Sequence, residues 1–260
     1  MGRYEGKKAV VTGGTHGVGM AVVEALVDGG AEVLVTGLDE ENIKEARNLL
    51  SSSKAHVVRS DAADMDDIDA LGDQVEERFG EVDFVFINVG HIRFAKLEDV
   101  TEEQYDRMFD TNTKGAFFTT QRLAPLVKEG GSFVLTTAVV TQLGFLATSV
   151  GTGMKAAINA FVRVFAAELV ERGIRVNAVS PGFIDTPTMG VGADTNEALR
   201  RANEEEGTRM TPMGRFGTPE EVAEAVLHLG FGAGFTTGAT LPVDGGLGQG
   251  LEPPHEVVTH

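Results

Sequence analysis

The sequence predicts a single α/β domain with a doubly wound parallel sheet of about seven strands and helices on both of its faces. Three observations support this class. Short apolar segments alternate with segments of helical spacing along most of the chain. Several of the short segments are near-continuous runs of Val, Ile, Leu and Phe, which is typical of strands buried on both faces. Glycines lie at the junctions between segments, where short turns are expected.

The expected strands and helices follow from this alternation. Strands are predicted at Ala9–Thr12, Val33–Thr36, His56–Ser60, Phe84–Asn88, Ser132–Thr136, Arg175–Ser180 and Ala239–Val243. Helices are predicted at Val18–Asp28, Glu40–Leu50, Met65–Phe79, Thr113–Lys128, Gly151–Glu171 and Pro219–His228. Asp39 and Thr218 are predicted N-caps, whereas Gly29 and Gly173 are predicted to end helices. The alternation implies right-handed crossovers, so we expect one domain over residues 1–246 and a C-terminal tail over 247–260.

A polar segment at residues 185–212 interrupts the alternation between the sixth strand and the last helix. Its length and its mixture of Pro, Gly and helical spacing predict a mobile lid, since such loops often cover a site. Met189, Val191, Leu199 and Met210 within it favour an apolar or neutral ligand. A pair of helices packed on the core would show the same pattern, so both interpretations stay open.

Charge and composition limit the classes of partner. The 260 residues include 22 basic and 39 acidic side chains, for a net charge of −17. A nucleic-acid binder needs a basic footprint, so we expect neither nucleic acid nor an anionic membrane surface as a partner. The chain has no cysteine, which excludes disulfides, thiolate metal sites and a cysteine nucleophile.

Two further patterns are missing from the sequence. No run approaches the roughly 20 apolar residues that a membrane span needs. No group of His, Asp and Glu has metal-ligand spacing, so no metal site is predicted. We therefore expect a soluble, cytoplasmic protein that handles a small-molecule substrate.

A glycine-rich turn links the first predicted strand to the first predicted helix. Thr12 ends the strand, and Gly13-Gly14-Thr15-His16-Gly17-Val18-Gly19 follows it. Such glycines permit a tight turn and a close backbone approach to a dinucleotide's diphosphate, which lies at the helix N-terminus in Rossmann-like folds. A tight strand-to-helix connection without a ligand is the alternative interpretation.

The spacing of this turn resembles that of the short-chain dehydrogenase/reductase family, and later segments agree with the resemblance. Those segments are Asp61-Ala62, Asn88-Val89-Gly90, Asn112 in Asn-Thr-Lys-Gly, Arg175–Gly182, Gly214–Ala223 and Val243–Gly246. The resemblance spans roughly Gly6 to Gly246 and implies a Rossmann-like fold with NAD(H) or NADP(H) as cofactor. It implies cofactor contacts from Gly13, Thr15, His16, Gly17, Val18, Gly19, Leu38, Asp39, Asp61, Ala62, Asn88, Val89, Gly90, Lys155, Pro181, Gly182, Ile184 and Thr186.

The resemblance also implies a set of catalytic side chains that this sequence only partly carries. Family members use a Tyr to move the substrate proton, a Lys four residues later to lower the pKa of that Tyr, a Ser to bond the carbonyl and an Asn to hold a water. Lys155 and Asn112 match this set, whereas Gly151 stands at the Tyr position and Ala138 at the Ser position. The sequence therefore predicts a non-standard proton donor.

Three other side chains are candidates for the missing donors. Thr137 carries a hydroxyl beside Ala138, although neighbouring residues of an extended segment point to opposite faces. Ser149 precedes Gly151 by two residues, and its alternative role is to start the helix. His91 follows the Asn-x-Gly turn, and imidazole titrates near neutral pH. The alternative for His91 is an ordinary loop residue.

The end of the second predicted strand bears on the choice of cofactor. A ribose 2′-hydroxyl is matched by a carboxylate here, whereas a 2′-phosphate is matched by Arg. The chain has Gly37, Leu38 and Asp39 at this point and His16 in the glycine-rich turn, with no guanidinium among them. These residues favour NAD(H) over NADP(H), although Asp39 alternatively serves only to cap the next helix.

Three functions are compatible with these observations. The first is an NAD(P)(H)-dependent oxidoreductase of a carbonyl/alcohol pair with a non-standard donor. The second is a non-redox dehydratase, isomerase or cyclase on the same scaffold, and the third is a catalytically silent nucleotide-binding subunit or sensor, partnered by an active paralogue.

The resemblance also implies a homo-oligomer, a dimer or tetramer formed through the long helices at 112–129 and 151–171 and the last strand. Ala156, Ala160, Val164 and Ala167 form one face of the second helix and agree with this expectation. A helix that packs on its own sheet would show the same face.

Overall fold

A parallel sheet runs through the computed structural model, which describes residues 2–51, 54–187 and 197–251. Within them the strands are β1 (Lys8–Thr12), β2 (Glu32–Gly37), β3 (Ala55–Arg59), β4 (Val82–Ile87), β5 (Val127–Thr136), β6 (Arg175–Pro181) and β7 (Thr240–Val243). Their order is β3-β2-β1-β4-β5-β6-β7, and all neighbours pair in parallel. The order reverses between β1 and β4, which opens a crevice at the carboxyl ends of these strands.

Helices cover both faces of the sheet. They are α1 (Gly17–Asp28), α2 (Glu40–Leu49), α3 (Met65–Phe79), α4 (Glu102–Phe109), α5 (Gly115–Leu123), α6 (Ser149–Leu169), α7 (Glu197–Met210) and α8 (Pro219–Leu227). The predicted fold class, a doubly wound Rossmann-like parallel sheet with helices on both faces, is confirmed.

Several predicted helix ends are confirmed in atomic detail. Asp39 caps α2 by accepting a hydrogen bond from the Asn42 backbone N–H at 2.9 Å. Thr218 and Glu221 form a reciprocal capping box at the start of α8. Such caps satisfy helix N–H groups that would otherwise lack partners, which is worth about 1 kcal/mol each.

The predicted helix at Thr113–Lys128 is wrong at both ends. A helical run starts earlier, with α4, and passes through a turn of π-helix at Asp110–Lys114 into α5. It ends in a short 3-10 turn that contains Pro125, and β5 begins at Val127. Proline cannot continue the helical hydrogen bonds, and Val127 instead pairs with Val82 of β4. Asn112 consequently lies inside the helical run and does not open a helix.

Two apolar layers hold the sheet between the helices. On one face, Leu26 of α1 and Val226 of α8 pack with strand residues such as Val35. On the other face, Leu71 of α3 and Ile158 of α6 pack with residues such as Phe133. Burying a side chain of this size stabilises the fold by about 1.5–3 kcal/mol, so both layers fix the strand ends where the crevice lies.

The predicted lid and tail are partly covered by the structure. Residues 188–196, which include Met189 and Val191, lie outside the described residues, as does the side chain of Leu199. The rest of the predicted lid contains α7. Leu247, the first residue of the predicted tail, is buried against the domain. None of the described helices is long and apolar enough to cross a membrane.

Candidate active site

A cavity of about 330 Å³ opens at the carboxyl ends of the central strands. It has the size of a small-molecule site, for which roughly 300–1,000 Å³ is typical. Of the residues that the sequence analysis assigned to cofactor binding or catalysis, it is lined by Gly13, Thr15, His16, Gly17, Val18, Leu38, Asp39, Asp61, Ala62, Asn88, Val89, Gly90, His91 and Thr186. The fold therefore brings together residues from four separate strand ends and from the segment after β6.

The glycine-rich turn presents the N-terminus of α1 to this cavity. No side chain caps α1, and no acidic residue occupies its first turn. A Cβ atom on Gly19 would lie 2.1 Å from the Gly13 carbonyl oxygen, so only glycine lets the helix pack this closely on the turn. Uncapped N–H groups and the positive end of the helix dipole together form a site suited to an anion such as a diphosphate.

The β2 end of the cavity carries one carboxylate and no guanidinium. Leu38 and Asp39 line it, next to His16 of the glycine-rich turn. Burial lowers the pKa of His16, although the Asp39 carboxylate raises it in part. His16 is therefore mainly neutral at neutral pH, and the carboxylate among the described residues at this end belongs to Asp39.

The opposite wall of the cavity is formed by the segment after β3 and by the α4–π turn. Asp61 accepts a hydrogen bond from the Ala63 backbone N–H, and its second oxygen lies 3.7 Å from Arg107 Nη2. Thr111 lies four residues after Arg107 and is 6% exposed. Its hydroxyl has no hydrogen-bond partner. An unpartnered buried hydroxyl is costly to the folded protein, so Thr111 stands out among the residues that line this cavity.

Lys155 lies beyond the β4 and β5 ends and is nine-tenths buried. Its Nζ donates a hydrogen bond to the Thr136 carbonyl oxygen at 3.0 Å. The Thr136 hydroxyl in turn donates to Asn88 Oδ1 at 2.9 Å, and Asn88 lines the cavity. Burial lowers the pKa of Lys155 to about 8.

Gly151 lies one helical turn before Lys155, beside an apolar side chain. A Cβ atom on Gly151 would lie 3.2 Å from Ile92 Cδ1. Ile92 packs against a small cluster of Met108, Val150 and Met154. The space beside Gly151 is thus bordered by hydrocarbon and holds no hydroxyl.

The candidate replacement donors occupy three different environments. The Thr137 hydroxyl is buried and donates to the Val179 carbonyl oxygen at 3.0 Å, so it is not directed into the cavity. Ser149 is exposed at the start of α6 and does not line the cavity. His91 does line it, but burial, followed by the charges of Arg107 and Arg93, lowers its pKa and keeps it neutral.

Asn112 holds the loop after β4 against the helical run. Its side-chain amide donates to the carbonyl oxygens of His91 at 2.7 Å and Met108 at 2.8 Å. Its Oδ1 accepts from the His91 backbone N–H at 3.3 Å. The Asn112 side chain therefore positions His91 and Ile92, and all of its polar atoms are bonded within the protein.

The remaining predicted cofactor residues lie outside the first cavity. Pro181 ends β6, and the Gly182 backbone N–H donates to the Val243 carbonyl oxygen at 3.0 Å. Ile184 lines a second cavity of about 320 Å³, next to Phe183 and Met213. Thr186 alone of this segment reaches the first cavity, where it packs against Gly17.

The sequence analysis did not assign several residues that line the first cavity. The additional lining residues are Thr36, Gly37, Asn42, Ser60, Arg107 and Thr111. Arg107 lies in α4 and Thr111 follows four residues later in the π turn, so a helical run predicted over residues 102–114 would have signalled them. No group of three or more His, Cys, Asp or Glu suited to a metal occurs among the described residues.

Comparison with known proteins relates this chain to reductases and dehydrogenases. Residues 13–248 match the family model described as enoyl-(acyl carrier protein) reductase. The 3-oxoacyl-(acyl-carrier-protein) reductase FabG of Thermotoga maritima is 34% identical over 252 residues, covering 94% of this chain and 99% of that protein. The L-fucose dehydrogenase of Mus musculus is 34% identical over 253 residues, covering 95% and 91%.

The fold comparison agrees. The crystal structure of a short-chain dehydrogenase/reductase, glucose/ribitol dehydrogenase, from Brucella melitensis superposes with a TM-score of 0.87 at 28% identity. The match covers 95% of this chain and 98% of the other.

Proposed function

The chain belongs to the short-chain dehydrogenase/reductase family of oxidoreductases, whose members generally bind NAD(H) or NADP(H), and from this premise we propose an NAD(H)-dependent interconversion of a carbonyl and an alcohol on a small, largely apolar substrate. One observation carries the proposal. The cavity joins an uncapped helix N-terminus to a wall with an unpartnered buried hydroxyl, that of Thr111. The helix N-terminus suits the diphosphate of a dinucleotide, and the free hydroxyl offers a further polar partner.

The described residues fit such a cofactor. The first turn of α1 would hold the diphosphate, because its N–H groups and dipole favour an anion. Asp39 would accept from a ribose hydroxyl, while Asp61 and Thr111 offer an acceptor and a free hydroxyl at the opposite wall. When bound, the cofactor supplies or accepts the hydride.

The preference for NAD(H) rests on Asp39. A carboxylate beside the ribose repels a 2′-phosphate, and no guanidinium lines that end of the cavity. Arg59 at the end of β3 is occupied, because its Nη1 bonds Asp67 Oδ2 at 3.1 Å and its Nε lies 4.0 Å from Glu40. His16 adds little positive charge, since burial lowers its pKa.

The apolar character of the substrate rests on the cluster beside Gly151. A side chain at position 151 would meet hydrocarbon atoms of Ile92 and Met108, which pack with Val150 and Met154. A charged substrate group there would lose its hydration without gaining a partner. A neutral carbonyl compound with an apolar body matches this wall.

We extend the proposal to assembly as a dimer or tetramer. Ala156, Ala160, Val164 and Ala167 on α6 are exposed, so this face does not pack on the chain's own sheet. Small side chains permit close approach of a second helix. Sedimentation of the purified protein would test this, and a monomer at micromolar concentration would contradict it.

A second candidate is favoured by Gly151 and Ala138, which supply neither hydroxyl of the family's catalytic set. A silent nucleotide-binding subunit would keep the cofactor cavity and lose turnover. Hydride transfer by the isolated protein distinguishes the two candidates: the oxidoreductase carries it out, and the silent subunit does not.

Direct titration with NADH and NADPH, followed by a panel of aldehydes and ketones, tests the proposal. The chain has no tryptophan, so binding is followed by heat or by the emission of the nicotinamide. We expect micromolar binding of NADH, at least about tenfold weaker binding of NADPH, equivalent to about 1.4 kcal/mol, and oxidation of NADH by some carbonyl compounds. No binding of either cofactor by folded protein would overturn it, and binding without turnover would support the silent subunit.

A further inference from the structure

Lys155, one helical turn after Gly151, retains hydrogen-bond donors that the protein does not use. A lysine ammonium carries three donor hydrogens, and Lys155 Nζ uses one of them on the Thr136 carbonyl oxygen. In the described part of the chain it forms no ion pair with a carboxylate and no second hydrogen bond. Two N–H bonds are thus available to a ligand.

Six threonine hydroxyls on α6 and on the segments near it already donate hydrogen bonds within the protein, whereas those of Thr111 and Ser180 are buried without a partner. The six donate as follows: Thr113 to Met154 O, Thr136 to Asn88 Oδ1, Thr137 to Val179 O, Thr141 to Ala138 O, Thr148 to Phe145 O and Thr152 to Val140 O or Thr148 Oγ1. A hydroxyl has a single proton to donate. Recruiting one of these six for a substrate would therefore break an existing bond.

His91 is the other candidate in the cavity wall, and its charge state works against it. Burial, Arg107 and Arg93 all lower the pKa of His91. The imidazolium that would donate a proton is therefore scarce at neutral pH. Its loop position is also fixed through both backbone groups by Asn112.

The charged side chains on the elements packed against Lys155 are engaged elsewhere or lie at the surface. Asn159 of α6 bonds Thr141 and Thr240 and is neutral. The charged residues on the packing elements are Glu102, Glu103, Asp106 and Arg107 of α4, Asp110 and Lys114 of the π turn, Arg122 of α5, Lys128 and Glu129 of β5, Arg163 and Glu168 of α6, Glu171 and Arg172 of the 3-10 turn after α6, and Arg175 of β6. Arg107 pairs with Asp61, Lys114 with Asp110, Arg122 with Asp73, and Arg175 with backbone carbonyls. Burial alone consequently sets the pKa of Lys155.

Building on the oxidoreductase function proposed above, we propose that Lys155 is itself the catalytic acid, donating the substrate proton that a hydroxyl at position 151 would otherwise supply. In reduction, the carbonyl carbon gains the hydride from the reduced nicotinamide that this function requires. The carbonyl oxygen gains the proton as the Lys155 N–H bond breaks. The products are the alcohol, the oxidised nicotinamide and a neutral Lys155 amine, which takes a proton from water before the next cycle.

Ile92 belongs to the apolar packing around the turn of α6 that precedes Lys155. It borders the space beside Gly151 and belongs to the cluster that includes Met154, the residue before Lys155. Low polarity disfavours the ammonium relative to the amine. An acid whose pKa lies near the working pH passes its proton to substrate and recovers it from solvent efficiently.

The experiment combines a titration without cofactor and a kinetic comparison. Lysine labelled at Cε and Nζ is followed by NMR in the wild type, with Lys155→Arg to assign the Lys155 signal and Lys44→Arg as an exposed control. We expect a signal that titrates near pH 8 in the wild type and in Lys44→Arg, and its loss in Lys155→Arg. Circular dichroism confirms that each variant is folded, and Lys155→Met serves as a second variant.

The kinetic arm follows binding and turnover separately. Arg retains the positive charge but does not release its proton, so we expect Lys155→Arg to bind NADH within about threefold of the wild type. Its turnover should fall by about 10²–10³-fold. The rate of reduction by the wild type should decline above about pH 8, and this decline should be absent from Lys155→Arg. Lys155→Met should lose turnover to the same extent.

The outcomes separate the two proposals. Turnover of Lys155→Arg near the wild-type level, or titration of Lys155 near an ordinary lysine value, would overturn the role of Lys155 and leave the oxidoreductase function in place. Wild-type protein that binds NADH but reduces no carbonyl compound would overturn the function, and the role of Lys155 with it.

Discussion

Gly151 and Ile92 face each other across the space where family members carry a tyrosine. A Cβ atom at position 151 would lie 3.2 Å from Ile92 Cδ1, closer than ordinary van der Waals contact. Gly151, which the family resemblance aligns with a tyrosine, thus has an apolar neighbour. Restoring the family's side chain therefore requires a second change, on the loop after β4.

The first prediction concerns this pair. Gly151→Tyr with Ala138→Ser should lower the free energy of unfolding by about 1–3 kcal/mol, because the new side chain overpacks Ile92. Adding Ile92→Ala should relieve the strain and raise carbonyl reduction by about 10²-fold or more over the double variant. Urea unfolding and NADH oxidation measure the two effects.

Ile92→Ala alone is the control for the triple variant. Ile92→Ala should lower the free energy of unfolding, because packing is lost, and should not raise the rate of carbonyl reduction. A double variant as stable as the wild type would contradict the idea that Ile92 restricts this space.

The second prediction separates the two roles of Asp39, which caps α2 and lines the cavity. Asn is as good an N-cap as Asp, so Asp39→Asn should keep the stability within about 0.5 kcal/mol. Removing the charge should bring the affinities for NADH and NADPH about five- to tenfold closer together, equivalent to about 1 kcal/mol.

Calorimetric titration with both cofactors measures the change in preference. Asp64→Asn is the matched control, because Asp64 caps α3 by accepting from the Asp66 backbone N–H and does not line the cavity. An unchanged preference in Asp39→Asn would assign Asp39 to capping alone.

The third prediction tests the unpartnered hydroxyl of Thr111. Thr111→Val keeps the shape and removes a buried polar group that lacks a partner, so the free protein should be unchanged or stabilised by about 1 kcal/mol. Cofactor affinity should fall by about five- to tenfold, because the ligand loses one hydrogen bond worth about 1 kcal/mol. Melting curves with and without NADH report both effects.

Thr120→Val provides the comparison, since the Thr120 hydroxyl is buried in α5 and bonds the Ala116 carbonyl oxygen at 2.7 Å. Its loss should leave cofactor affinity unchanged. Equal affinity of Thr111→Val and the wild type would show that the hydroxyl does not contact the ligand.

The fourth prediction concerns stability as a function of pH. Burial lowers the pKa of Lys155 from 10.5 to about 8. Between these values the unfolded chain binds this proton and the folded chain does not, so the contribution of Lys155 to the free energy of unfolding rises with pH. Below about pH 8 the cost of burying the ammonium is fully present. Lys155→Met should therefore stabilise the protein at pH 7, by up to about 3 kcal/mol.

Urea unfolding at pH 7, 9 and 10.5 measures this difference, which should shrink as the pH rises. Lys44→Met, a substitution of an exposed lysine, should show a difference that does not vary with pH. A constant difference for Lys155→Met would contradict a lowered pKa.

The strand and helix pattern could be predicted because its signals are local. The β1 segment, the glycine-rich turn and the start of α1 are consecutive in the chain, and Asp39 and Thr218 cap helices within three residues. The predicted helix boundary was wrong where pairing with a strand distant in the chain determines the structure. Val127 joins β5 because Val82 offers it a partner in β4, so the predicted helix ran too far.

The candidate site likewise has features that the sequence predicts and features that depend on the tertiary structure. The absence of a tyrosine at Gly151 and of a serine at Ala138 is determined by the sequence alone, as are the glycines that admit a diphosphate. Assignment to the cytoplasm stays a prediction.

The tertiary structure alone decides which polar groups remain free. The Thr137 hydroxyl is bonded to Val179, whereas that of Thr111 has no partner, and both are threonines beside a predicted site residue. Lys155 and Ile92 acquire their roles from neighbours distant in the chain. A hydrogen bond or a packing contact depends on which atoms the fold brings within a few ångströms, and local sequence patterns carry no record of that distance.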